Sequence, residues 1–350
     1  MVIKDGLRNR TLRCRVESDG LDISSMIIKQ IKEELARGFS DWASLEFLSG
    51  LPEAEGIAPR FYGGDVAARF FLVEDLGEGT NVHDLLSGND RAAARAGLQE
   101  LAIQMARLHT ASLGKEERFE AVRARLPEAN GLGRQQEARQ WLSNRGKIVD
   151  WFHALGCVPS AGLEADMEWI ADIYSKDNGF LAFSHGDPAP SNNLYVKTRA
   201  FLLDFEYGGF RHALYDITAW AILCPLPLDC VREMRLCFRT ELAKACPAAR
   251  DEARFERGWA ALCAYRALAM LTWIPPDIIR ENRIWAESWT MREAVFVAMS
   301  RLEEATEPFA ELEAIGKAAG VLAKAMHERW PEFKENEAVI PQWNAFKENS

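Results

Sequence analysis

One stretch narrows what this chain can fold into more than any other: Phe183-Ser-His-Gly-Asp-Pro-Ala-Pro-Ser-Asn-Asn-Leu-Tyr-Val196, followed by Ala200-Phe-Leu-Leu-Asp-Phe-Glu-Tyr-Gly-Gly209. It reads as strand, loop, strand, turn, strand. Apolar runs at Leu181–Phe183, Leu194–Val196 and Phe201–Leu203 are separated by a proline-rich polar loop and a turn at Lys197–Arg199. Such a unit can bring three oxygen-bearing side chains to one spot: Asp187, Asn192 five residues on, and Asp204 just past the last apolar run. Hard oxygen ligands of this kind suit Mg²⁺ shared with substrate phosphates, and a spare carboxylate can orient a hydroxyl for attack. Asp187-Pro188 alone would be an ordinary turn, because Asp hydrogen-bonds its own backbone. Asn192 and Asp204 turn it into a catalytic expectation.

An Asp with an Asn at +5, followed by the metal-binding Asp of an Asp-Phe-x triplet, is the core of the kinase catalytic loop. Here His185-Gly186-Asp187 stands where protein kinases have His-Arg-Asp, and Asp204-Phe205-Glu206 where they have Asp-Phe-Gly. The two departures together resemble the aminoglycoside phosphotransferase and choline kinase superfamily of small-molecule kinases. The His-Gly-Asp element resembles the aminoglycoside branch. The tetrad Asp204-Phe205-Glu206-Tyr207, with Tyr215-Asp216-Ile217 downstream, is closer to the choline and ethanolamine branch. The resemblance covers about residues 5–220. It implies an α+β, bilobal protein-kinase-like fold: a β-rich nucleotide-binding lobe over residues 1–77, and a larger, mainly helical lobe over 78–350 that carries the catalytic hairpins. It implies ATP and Mg²⁺ as cofactors, with Asp187 as base and Asn192 and Asp204 as metal ligands. Glu206 would either reach a second metal or hold the loop. His185 would brace the loop through hydrogen bonds, and Asp216 would bond back to it from the following helix. The alternative from another class is a catalytically weak nucleotide-binding or regulatory module that keeps the fold. Such modules lose the base, the lysine or a metal ligand, and here none is missing.

Upstream, Thr11–Val16 and Met26–Ile31 read as strands around a turn at Ser18-Asp19-Gly20. Lys29 sits between apolar residues in the second of these, and Lys32, the competing lysine, points to the opposite face. In kinases a lysine so placed pairs with the α- and β-phosphates and with a glutamate on the next helix. With Ser40 as N-cap of a helix over Asp41–Ser49, the expected partner is Glu46, because an unpaired carboxylate among Leu45, Phe47 and Leu48 would be costly. Gly6 and Asn9 loosely match the phosphate-covering turn that the resemblance implies; an ordinary loop before a strand is the other reading. Ile57–Tyr62 and Arg69–Leu76 are two further expected strands, the second ending at a Gly77/Gly79 hinge. By the resemblance, backbone groups from Glu74 to Leu76 would face the adenine edge.

From residue 80 the pattern turns helical. Thr80 is placed to cap Asn81–Leu86, and Leu98, Leu101, Ala102, Met105 and Leu108 form the stripe of a packed helix. Breaks fall at Pro127–Gly133 and Gly156–Gly162, and the apolar run Leu214–Leu223 ends at Pro225 and Pro227. Helices are expected over roughly 228–246, 250–274, 279–304 and 308–329, followed by a polar tail over 331–350 anchored by Trp343. Ten of the eleven tryptophans lie after residue 140, which makes the late helices the place to look for what they serve. Trp259, Trp273, Trp285 and Trp289 suit core packing or, alternatively, a cage for a quaternary ammonium, with Asp277 and Glu281 near enough in sequence to meet an amine.

A length of 350 residues suits two unequal lobes. The net charge of −10 argues against a nucleic-acid partner, which needs a basic surface, and is compatible with a cationic small-molecule substrate bearing a hydroxyl. No run approaches the ~18 uncharged apolar residues of a membrane span, and the first residues carry no apolar signal core. Seven scattered cysteines without a C-x-x-C pair read as reduced thiols of a cytoplasmic protein. The expected activity is transfer of the γ-phosphoryl of ATP to a small-molecule alcohol: aminoglycoside-like, choline- or ethanolamine-like, or another metabolite.

Overall fold

Strands dominate the first part of the chain. The computed structural model describes residues 1–17, 23–126, 133–224, 226–286, 289–330 and 343–347; the expected turn at Ser18-Asp19-Gly20, the Pro127 break and Pro225 lie outside these residues. Strands β1 (Val2–Asp5), β2 (Asn9–Arg15), β3 (Ser25–Ile31), β4 (Phe61–Asp65) and β5 (Phe70–Glu74) form one sheet in the order β1-β2-β3-β5-β4. All its pairings are antiparallel, and Lys29 lies opposite Thr11 on one side and Phe71 on the other. Alternation puts Ile27, Lys29 and Ile31 on the face that helix α1 (Leu35–Ser49) covers. There Trp42 meets Phe61 and Phe71 at ring-centroid distances of 5.7 and 5.6 Å.

Two local expectations are corrected here, and a third segment is placed. Helix α1 begins at Leu35 after Glu34, whose φ is 51°; Ser40 lies inside it and donates to the Ala36 carbonyl. The strand expected over Ile57–Tyr62 starts only at Phe61, because the Ile57 carbonyl is taken by the Leu202 amide. Gly6 lies in the hairpin turn between β1 and β2 and Asn9 opens β2, and the Gly6 N–H donates to the Asn9 carbonyl at 3.0 Å.

The remainder is mainly helical. Helices α2 (Val82–Ser87), α3 (Arg91–Ser112), α4 (Glu116–Arg123), α5 (Arg134–Ser143), α6 (Arg145–Leu155) and α7 (Leu163–Ser175) lead into four short strands. These are β6 (Leu181–Ser184), β7 (Asn193–Val196), β8 (Arg199–Leu202) and β9 (Gly209–His212), paired as β6-β9 and β7-β8. Helices α8 (Leu214–Ile222), α9 (Leu228–Leu242), α10 (Pro247–Arg250), α11 (Glu252–Trp273) and α12 (Ile278–Glu281) follow. Then come a small hairpin, β10 (Ile284–Ala286) with β11 (Trp289–Thr290), and helices α13 (Met291–Thr306) and α14 (Glu313–Arg329). The hairpin replaces part of the helix expected over 279–304, since Thr290 and Glu293 form a capping box that starts α13 at Met291. Similarly, the cap of α2 is Asn81, whose side chain accepts the Asp84 N–H, and not Thr80, which instead bridges to Tyr195. The stripe expected on α3 is buried throughout. No helix among the described residues is long and apolar enough to cross a membrane.

The hairpin that carries the loop is clamped by a buried ion pair. Glu137 of α5 accepts from Arg211 Nε and Nη2 at 2.9 and 2.6 Å, and Tyr174 also donates to it. Burial opposes the Glu137 charge most, yet Arg211 and Tyr174 hold its carboxyl below the ordinary value. Glu137→Ala would leave a buried guanidinium unpaired, so it should lower unfolding free energy by about 3–5 kcal/mol. Denaturant unfolding checks this, and a loss below ~1 kcal/mol would mean that the pair is solvated like a surface bridge.

His212, at the end of β9, is buried against Phe180 and accepts the Leu214 N–H at 3.2 Å through Nδ1. Burial, with His109 nearby, pushes its pKa from 6.5 down to about 3. A depressed histidine stays neutral when folded while the unfolded chain takes up a proton, so its contribution is complete above pH 6.5 and fades as pH falls toward 3. Each such group costs up to ~1.4 kcal/mol per pH unit in that window. His212→Phe, which keeps the stacking, should therefore flatten the loss of stability between pH 6.5 and 5. Equal slopes for parent and variant in urea unfolding would contradict this.

Candidate active site

The loop between β6 and β7 is shaped by buried hydrogen bonds. Asp216, in the first turn of α8, accepts from the His185 N–H at 2.7 Å, the Gly186 N–H at 3.0 Å and the Ser184 hydroxyl at 2.9 Å. Burial resists its charge most, but His109, His185, Arg266 and the His185 amide together hold its carboxyl below the ordinary value. His185 is fully buried; its Nε2 donates to the Leu203 carbonyl at 2.7 Å and its Nδ1 accepts the Asp187 N–H at 3.3 Å. With both ring nitrogens committed to backbone, His185 joins the two hairpins and has no free nitrogen for proton transfer. Gly186 has φ 87°, and a Cβ there would lie 2.2 Å from the Tyr207 carbonyl oxygen. An arginine, as in the protein-kinase triplet, would not fit this backbone.

Two cavities meet at this loop. The smaller, of about 340 Å³, is lined by Asn9, Lys29, Glu74, Leu76, Asn192 and Asp204 among others; the larger, of about 750 Å³, is lined by Asp187, Tyr207, Tyr215 and several tryptophans, and Ser191 borders both. Gly6 and Glu46 do not line the smaller cavity. Asp187 is exposed toward the larger one. Asn192 donates through Nδ2 to the Asp187 carbonyl at 2.9 Å, and this commits the amide nitrogen to the loop. Asp204 holds φ 67°, a left-handed conformation that costs about 1 kcal/mol for a residue with a side chain.

Lys29 is the residue the structure treats differently from expectation. Its Nζ donates to Asp41 Oδ2 at 2.6 Å and lies 3.9 Å from Asp204 Oδ1. Asp41 Oδ1 in turn accepts the Phe205 N–H at 2.9 Å, and Ser44 on the next turn of α1 reaches the Phe205 carbonyl. The expected Lys29–Glu46 pair is therefore not formed. Glu46 accepts from Trp42 Nε1 at 3.0 Å and from Arg125 Nη2 at 2.7 Å, away from the cavity. The reason is helical phase. Asp41 shares the face of Ser44, Leu45 and Leu48, whereas Glu46 is turned by a hundred degrees from Leu45 toward Trp42. Burial alone would lower the Lys29 ammonium's pKa, but the charges of Asp41 and Asp204 outweigh it and hold the amine above its ordinary value. Lys32 bonds Asp5 and the Gly6 carbonyl instead.

Glu206 pairs with Arg8 of the β1-β2 turn at 3.1 Å and with Arg37 of α1 at 3.8 Å. Burial and the Asp204 charge push its carboxyl up despite both arginines. Sequence reasoning missed Asp41, Ser44 and these two arginines. For Asp41 a signal existed, the i, i+3, i+4, i+7 spacing with Ser44, Leu45 and Leu48, but Glu46 drew the choice because its immediate sequence neighbours are apolar.

No cluster of three or more His, Cys, Asp or Glu side chains able to hold a metal is found among the described residues. A divalent ion here would depend on the Asn192 amide oxygen, the Asp204 carboxylate and oxygens brought by a phosphate ligand. That donor set is the hard, sparse one Mg²⁺ accepts, since it keeps water and phosphate in its shell, and the Asn192 amide oxygen carries only a long 3.5 Å contact from the Ser191 hydroxyl once its nitrogen is bonded to Asp187. The residues therefore fit the ion.

No protein-family model and no curated protein sequence matches this chain. Solved structures do. An aminoglycoside phosphotransferase in a ternary complex with AMP-PNP and hygromycin B is similar at a TM-score of 0.50 with 13% identity, covering 89% of this chain and 94% of that one. A choline/ethanolamine kinase family protein from Mesorhizobium loti is 14% identical over 93% of this chain and 92% of that one, at a TM-score of 0.47. A macrolide 2'-phosphotransferase from Brachybacterium faecium is 14% identical over 78% and 84%, at 0.48. At these identities the likeness is one of fold. The chain has the α+β kinase-like fold that small-molecule phosphotransferases share, with an N-terminal antiparallel sheet and a larger helical part.

Proposed function

We propose that this protein is a member of the aminoglycoside phosphotransferase and choline kinase superfamily, transferring the γ-phosphoryl of ATP to the hydroxyl of a small molecule. The observation that carries the reading is the division of polar and charged groups between two adjoining cavities. Lys29, Asn192 and Asp204 line the smaller and Asp187 opens on the larger. A phosphate donor and an alcohol acceptor would then approach each other across the loop 187–192. The lobe boundary would lie near Gly77, where φ is 82°.

ATP would lie in the smaller cavity, with its adenine edge toward the backbone of Glu74 to Leu76 and its phosphates beneath the Gly6–Asn9 turn. Lys29, kept charged and fixed by Asp41, would hold the α- and β-phosphates. Asn192 and Asp204 would hold Mg²⁺, which when bound neutralises phosphate charge. Asp187 would accept a hydrogen bond from the acceptor hydroxyl, then its proton, as the oxygen–phosphorus bond forms and ADP leaves. Glu206, with its two arginines, would keep the Asp204 turn in place. Most of the catalytic effect would come from positioning and charge neutralisation.

The test is a Mg²⁺-ATP consumption assay against aminoglycosides, macrolides, choline, ethanolamine, homoserine and simple sugars. An acceptor-dependent release of ADP that disappears in Asp187→Ala supports the reading. Binding of ATP with no turnover of any acceptor would favour a nucleotide-binding module instead.

A further inference from the structure

The larger cavity is ringed by four tryptophans from four separate parts of the chain: Trp220 of α8, Trp273 at the end of α11, Trp285 of β10 and Trp343 of the C-terminal segment. Trp273 is 50% exposed, an unusual amount of indole to leave in water beside an open cavity. Among the described lining residues the charged groups are few. They are the Asp187 carboxylate and the Arg266 guanidinium, and the latter already stacks on Tyr215 at 3.4 Å and donates to its carbonyl.

Trp343 reaches this cavity because residues 343–347 are docked. Ala345 and Phe346 are buried, Arg91 lies over the Phe346 ring, and Asn344 Nδ2 donates to the Ser87 carbonyl at 3.0 Å. The Trp343 ring stands edge-on to His83 at 5.5 Å and beside the Cys224 thiol. The segment thus rests on α2, and α2 is itself tied to the catalytic loop, since the His83 N–H donates to the Pro190 carbonyl at 3.0 Å.

Resting on the phosphotransferase reading, which makes this the acceptor cavity, we propose that Trp343 is a specificity-determining wall of it. The occupant the cavity fits is an alcohol with a broad apolar or aromatic body. Among the described lining residues one carboxylate and one guanidinium give a polycation, which would need several carboxylates, little counter-charge, while flat indoles reward an apolar face.

Cys224 reports on the cavity without any turnover, because it lines it while Cys263 in α11 is buried elsewhere. Burial pushes the Cys224 thiol up to about 12, so little thiolate is present and alkylation by N-ethylmaleimide is slow until the thiol is opened to water. In the full-length parent, millimolar 2-naphthylethanol should protect Cys224 from alkylation, read by peptide mass spectrometry, and neomycin should not. Trp343→Ala should raise the Cys224 rate about tenfold and abolish the protection, with Cys263 unlabelled throughout. Trp343→Phe should stay near the parent. An unchanged Cys224 rate in Trp343→Ala would overturn the wall. Protection by neomycin, or none by 2-naphthylethanol, would overturn the acceptor class. Neither result depends on ATP, so failure of the phosphotransferase reading shows separately, as absence of acceptor-dependent ADP release.

Discussion

Asp187→Ala should lower turnover by about 10²–10⁴-fold, the usual contribution of a positioned general base, while leaving the fold and ATP affinity close to the parent's. The structure makes the two halves of this expectation separable. Asp187 is exposed, and its carboxylate has only a 3.4 Å contact from Asn192, so its removal strands no buried donor. The bonds that shape the loop use the Asp187 backbone: its N–H goes to His185 and its carbonyl accepts from Asn192 and from the Ala189 N–H. Alanine keeps all of them. Steady-state kinetics with whichever acceptor is found, alongside calorimetric titration with AMP-PNP, measures both quantities. Undiminished turnover would remove Asp187 from the chemistry. A loss of AMP-PNP affinity comparable to the loss of rate would make it a residue that shapes the nucleotide cavity instead.

How much of this was legible in the residues differs between the two halves of the site. The loop from His185 to Asn192 and the Asp204 turn could be read because their function is local. A carboxylate and an amide at a spacing of five, followed by a carboxylate after a short apolar run, converge when the intervening chain doubles back, as the β7-β8 hairpin does between the paired strands β6 and β9. Lys29 was readable for the same reason, since strand alternation alone fixes its face. What failed to be readable depended on phase or on distance. The partner of Lys29 turns on helical phase: Glu46 is next in sequence to Leu45 and Phe47, but it is Asp41 that shares the face of Ser44, Leu45 and Leu48. The arginines on Glu206 come from positions 8 and 37, and Trp343 comes from the far end of the chain. No spacing rule links such residues before the fold does. The late tryptophans show both outcomes. Trp259 and Trp289 are buried in packing, while Trp273 and Trp285 line the cavity, and nothing in their sequence neighbourhoods separates the two pairs.

Asp41 and Glu46 provide the sharper experiment on the nucleotide side, because sequence and structure choose differently between them. Asp41→Ala would leave the buried Phe205 N–H with no acceptor and the Lys29 ammonium with only the Asp204 carboxylate 3.9 Å away, since both now bond the two Asp41 oxygens. Breaking a buried pair in this way costs about 3–5 kcal/mol, and here it would also release Asp204, which Phe205 holds by the adjacent peptide. Stability and AMP-PNP affinity should therefore fall together, with an affinity loss of roughly tenfold or more. Glu46→Ala removes one bond from the Trp42 indole and one from the exposed Arg125, both outside the cavity. It should cost about 1 kcal/mol of stability and leave AMP-PNP affinity unchanged. Asp41→Asn sets the intermediate case: an amide oxygen can still accept the Phe205 N–H, but Lys29 loses its counter-charge, so the fold should recover more than nucleotide binding does. The opposite ordering, with Glu46→Ala weakening AMP-PNP and Asp41→Ala sparing it, would return the lysine's partner to Glu46. Asp41 would then be a buried brace between α1 and the Asp204 turn, with no share in holding phosphate.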